Sequence, residues 1–106
     1  MISQESKMKK KTESIHGEGE LFKGSAHAAY CRYLINSFVD ETGQVSKEGT
    51  VTLSKEGMTP DAFKKLALFF VFHRSDTYRL MTDDHATLDF IFSEFNAFAG
   101  EGIFKI

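Results

Sequence analysis

The sequence predicts a mainly β fold: a small antiparallel β-barrel or sandwich of six to seven strands, with one short helix near residues 60–67. Three observations predict it. Turn-forming clusters recur along the whole chain at the spacing of short strands. A two-residue period fits Tyr30 to Val39 and again Thr87 to Phe92. Only the segment opening at Thr59 carries a complete helix start. The competing pattern is an α+β fold with three helices, which follows if 26–39 and 84–98 take helical spacing instead.

The elements follow in order. Residues 1–12 are polar and lysine-rich, which predicts a disordered basic tail ahead of a single globular domain over 13–106. The start has no apolar run of the kind a secretory leader needs. Residues 14–24 (SIHGEGELFKG) carry Ile15, Leu21 and Phe22 as anchors among glycines that oppose a helix, so a first strand is expected there. The stretch 26–39 puts Ala29, Cys31, Tyr33, Ile35 and Val39 on one face, interrupted by Ser37; its aromatic and branched residues favour a strand. Two SKEG tetrapeptides, Ser46–Gly49 and Ser54–Gly57, bracket Thr50–Leu53 and read as two turns around one short strand.

Thr59 suits the N-cap, Pro60 the first helical position and Asp61 the positive end of the helix dipole. A helix from Pro60 to Ala67 follows, and its continuation through Phe72 is left open because short apolar runs fit either period. Arg74–Asp76 reads as a turn and Tyr78–Met81 as a strand. Thr82–His85 (TDDH) reads as a hairpin turn or a helix start, and Thr87–Phe92 as a strand. Gly100–Gly102 is expected to be a loop before a closing strand over 103–106.

Composition excludes several classes. The net charge of −2 and pI near 6.1 argue against a nucleic-acid binder, whose basic face usually dominates. Tyr30 and Arg32 give a faint single-strand signal, but Asp89 and Glu94 among the phenylalanines would repel phosphate. The longest apolar run is Leu66–Phe72, far below the roughly 20 residues of a membrane helix, so no membrane association is expected. A single cysteine, Cys31, allows no internal disulfide; it reads as a small buried hydrophobe in a cytoplasmic protein.

Catalytic motifs are sparse. Asp83, Asp84 and His85 form the one tight cluster of titratable groups with acid–base or metal-binding character, although a polar break between apolar runs is first a turn. The four histidines show no ligand spacing, and neither metal nor cofactor is expected. Gly17, Gly19 and Gly24 fit neither a phosphate loop nor a dinucleotide fingerprint and suggest a bulge or a bent strand. No Gly-x-Ser-x-Gly elbow is present.

The most distinct signal is aromatic. Nine of the eleven phenylalanines follow residue 60, enough to build a core and to leave some rings for a partner. The expected function is therefore a small, non-enzymatic binding or regulatory module acting through protein contact, with a protein partner or a second copy. Tyr78, Phe95 and Phe98, at the margins of the apolar runs, are its candidate contacts. The alternative is a small barrel enzyme or metal-binding protein using Asp83, Asp84 and His85.

Overall fold

Alternation makes the 26–39 stretch a strand, and the sheet is built outward from it. The computed structural model describes residues 10–106. These form β1 (Lys10–Lys23), β2 (Ala26–Val39), β3 (Val45–Leu53), α1 (Pro60–Phe72), β4 (Tyr78–Met81), β5 (Thr87–Phe90), β6 (Phe92–Asn96) and β7 (Glu101–Lys105). All pairings are antiparallel, in the order β5-β4-β1-β2-β3-β7-β6. Among the described residues the mainly β class with one helix is as expected, and the three-helix alternative is not.

The sheet is curled into a half-barrel. Strands β5 and β6 stand at opposite ends of the order, yet only Ile91 separates them in the chain. One continuous segment thus pairs with β4 by its first half and with β7 by its second. The two margins must meet, and they do: Phe90 of β5 packs edge-on against Phe92 of β6 at 4.9 Å between centroids and stacks on Phe104 of the adjoining β7 at 4.1 Å.

Register decides which side chains face inward. Leu21, Cys31, Tyr33, Ile35, Val51, Leu53, Leu80 and Phe104 are buried on the inner face, and the buried side of α1 (Phe63, Ala67, Phe70) packs on the same core. The helix starts as the sequence requires. Thr59 Oγ1 accepts from the Ala62 N–H at 3.1 Å, and Pro60 follows. It continues past Ala67 to Phe72, where the His73 N–H donates to the Phe69 carbonyl at 2.9 Å. Phe70 explains the extra turn. It lies at the centre of an aromatic cluster, stacked on Phe95 at 5.3 Å, beside Tyr78 at 5.2 Å and edge-on to Phe92 at 6.1 Å.

Several boundaries differ from expectation, each for a tertiary reason. Strand β1 includes Lys10–Thr12, assigned above to the tail, because Lys10 and Lys11 pair with Val39 and Phe38; residues 1–9 lie outside the described residues. The first SKEG is strand, since Ser46–Gly49 pairs with β2 and Gly49 also with Phe104 of β7; the second is the expected turn. Glu101 and Gly102 belong to β7. Gly17 and Gly19 mark no bulge: the register of β1 shifts elsewhere, between Lys11 and Glu13 and between Leu21 and Phe22.

Glycines on the inner face carry rings instead of side chains. A Cβ at Gly49 would overlap the Phe104 ring, one at Gly102 the Phe92 ring, and one at Gly100 the Phe63 ring. Gly49 and Gly102 pair directly with Phe104 and Phe95 on the adjacent strands. Aromatic cover of strand glycines lets a ring lie flat on the backbone and lets the sheet bend. Gly49→Ala is expected to lower stability by about 1–3 kcal/mol, the usual cost of overpacking a filled core, read as a shift of the urea midpoint at unchanged slope.

Candidate functional site

The polar cluster at 82–85 is built as a turn. Asp and Thr bond readily to nearby backbone, which favours tight reversals over regular structure. The Thr82 N–H donates to the Ala86 carbonyl at 2.9 Å and the His85 N–H to the Thr82 carbonyl at 3.0 Å. The Asp84 carboxylate accepts from the Thr82 hydroxyl and from the Ala86 N–H. These bonds, the hydroxyl first, hold the Asp84 carboxyl below its ordinary range. His85 closes the turn with a φ of 68°, unusual for a residue other than glycine.

Asp83 points elsewhere. Its Oδ1 accepts from the Tyr33 hydroxyl at 3.2 Å, joining β2 to the β4–β5 turn across fifty residues of sequence. Burial, with the Asp83 carboxylate beside it, raises the Tyr33 phenol above its ordinary value. Gly17 makes the meeting possible, because a Cβ there would lie 2.6 Å from Asp83 Oδ2 and 2.8 Å from the Tyr33 hydroxyl oxygen. Asp83 and His85 also border a cleft of about 870 Å³ whose other walls include Glu18, Arg32 and Lys55. The three residues of the cluster therefore divide: Asp84 closes its own turn, Asp83 bonds Tyr33, and His85 stands exposed at the cleft rim.

Among the described residues, no three His, Cys, Asp or Glu side chains come together in a way that could hold a metal ion. Cys31 is buried in the core, and burial pushes its thiol up to about 12. A nucleophilic cysteine needs the opposite environment. No helix among the described residues is long and apolar enough to cross a membrane.

The aromatic candidates separate as well. Tyr78 is fully buried, and its hydroxyl donates to the His73 carbonyl at 2.8 Å. This corrects the expectation of a surface contact: Tyr78 borders an apolar run in sequence, but β4 carries it under α1, against Phe70 and Phe92. Phe95 is half-buried on Phe70. Phe98 is 97% exposed at the turn between β6 and β7. That turn is clamped. The Asn96 side-chain carbonyl accepts from the N–H groups of Phe98 at 2.9 Å and Ala99 at 3.1 Å, and the Gly100 N–H donates to the Asn96 backbone at 2.9 Å. The Gly100 carbonyl in turn accepts from the Leu53 N–H at 2.8 Å, and Gly100 packs under Phe63.

The sequence reading missed two features of this surface. The clamp was available as an Asn two residues ahead of an apolar residue and four ahead of a glycine. The open outer face of the sheet, with Tyr30 at 64% exposure and Leu34 at 42%, needs the register to be seen. No protein-family model matches the chain, and neither curated proteins nor solved structures give a significant match.

Two expected outcomes follow from the titrating groups. Asp76, Asp84 and Asp89 are all held below their ordinary carboxyl values, by Lys23, Thr82 and Arg79 respectively. The unfolded chain binds protons at these sites before the folded one does, so stability is complete above the ordinary carboxyl range and falls as pH drops through the lowered values. Urea midpoints followed down into acid should show this slope, and Asp76→Asn, Asp84→Asn and Asp89→Asn combined should flatten it. Cys31 should react with a thiol reagent only in denaturant, with the native chain inert at neutral pH on the same timescale.

Proposed function

We propose that this chain is a small, non-enzymatic binding module of the cytoplasm that acts by protein–protein contact through the Phe98 turn. The carrying observation is the exposure of Phe98 on a backbone fixed from both sides. A large ring held in water costs free energy in the isolated chain, and a fixed turn loses little entropy when the ring is buried by a partner. Such aromatic anchors in preset geometry supply most of the affinity at protein interfaces. The preceding strand bears the exposed Glu94, which suits an apolar pocket with a basic rim.

The enzymatic reading draws support from the Tyr33–Asp83 bond beside the large cleft. Against it, Asp84 is engaged in its own turn and the cluster does not converge on one point. A photoreactive phenylalanine analogue at position 98 of the full chain, expressed in the native cell, should yield a discrete adduct with a protein. The same analogue at the exposed position of Glu41 should not. Equal adducts at both positions, or none at 98, would sink the reading.

A further inference from the structure

Among the described residues nothing covers the outer side of the sheet, away from α1, and that side is patterned. Two cross-strand rows run over β2, β3 and β7: Leu34, Thr50 and Ile103 in one, Arg32, Thr52 and Glu101 in the next. Leu34 and Ile103 are 42% and 37% exposed. All but Ile103 of these six line a hollow of about 670 Å³. The Thr52 hydroxyl donates to Glu101 at 3.3 Å; β1 continues the rows with His16 opposite Leu34 and Glu18 opposite Arg32, although Arg32 forms no ion pair among the described residues.

We infer that this face docks a second copy of the chain about a two-fold axis running along β3. Charge and apolar pattern together select that axis. An axis lying along β3, between two stacked sheets, places β2 of each copy over β7 of the other while keeping the rows aligned. Arg32 then faces Glu101 of the second copy, and Leu34 faces Ile103 of the second copy. Each pairing occurs twice, as an isologous contact requires. Thr50 and Thr52 lie on the axis and face themselves, which two small polar side chains tolerate. An axis along β2 would set Arg32 against its own copy, and one along β7 would do the same to Glu101; an axis between β1 and β2 would give Arg32 the Glu18 of the second copy but would set the apolar Leu34 on its His16. Stacked sheets lie ~10 Å apart, a gap that an arginine and a glutamate can bridge together. The inference rests on the reading of the chain as a protein-contact module, and a dimer would bring two Phe98 turns to one partner, raising avidity without new contacts.

Sedimentation equilibrium of the full chain over ~1 to ~200 µM, a range that brackets a micromolar dimer, tests it. The wild type should be a dimer. Arg32→Glu and Glu101→Arg should each weaken it by at least ~10-fold, about 1.4 kcal/mol. Together they should restore it, because the exchanged charges face each other again. Thr50→Arg, which sets a cation against its own copy on the axis, should be monomeric with an unchanged circular dichroism spectrum, and it carries the test if the charge variants fail to fold. A monomeric wild type across the range, or a dimer indifferent to Thr50→Arg, overturns the proposal. So does an exchanged pair that folds yet associates no better than either single variant. A monomer that keeps its position-98 adduct removes the dimer alone. A dimer that lacks the adduct removes the Phe98 reading alone.

Discussion

Aromatic rings laid on bare backbone are the interaction on which the half-barrel depends. Phe104 over Gly49 and Phe92 beside Gly102 fill space that any Cβ would occupy. The rings in turn contact one another: Phe104 with Phe90, Phe90 with Phe92, Phe92 with Phe70. The contacts that bend β3 and β7 are thus continuous with those that hold α1. Cores packed this densely give little when one member changes volume, and the effect reaches beyond the altered residue. The late concentration of phenylalanine in the chain has its reason here. Helix α1 and strands β5, β6 and β7 supply the rings, while β3 and the β6–β7 hairpin supply the glycines beneath them.

Legibility in the sequence followed the range of the interaction responsible. Strand β2 was readable because burial alternates residue by residue, and even the interrupting Ser37 turns out to be buried. The helix start was readable because its cap is local; the end was not, because Phe70 and Phe72 belong to an apolar run that fits both periods. Repetition misled at Ser46–Gly49, where a turn-like tetrapeptide is held straight by partners on both sides. Tyr78 misled for a similar reason, since the margin of an apolar run in sequence need not be a margin in space.

The polar cluster at 83–85 shows how a catalytic-looking string dissolves under local hydrogen bonding. Two adjacent carboxylates next to an imidazole offer acid–base chemistry only if they converge. Here one carboxylate closes its own turn and the other reaches a phenol on a distant strand. The surfaces that remain distinctive are an aromatic anchor at one turn and a patterned outer sheet face, both properties of contact rather than of bond making.

The single residue between β5 and β6 has a consequence for how the chain reaches its fold. Strands β1, β2 and β3 leave the ribosome before the rest of the sheet, but β1 awaits β4 and β3 awaits β7. Until those partners emerge, the nascent sheet carries open margins at β1 and β3, and the one at β3 stays open longer because β7 follows β4 in the chain. Contacts so distant in sequence slow folding and lengthen the interval in which unpaired margins meet other chains. The polar, charged stretch at the start of β1 lies on one of those margins, where it discourages aggregation during that wait.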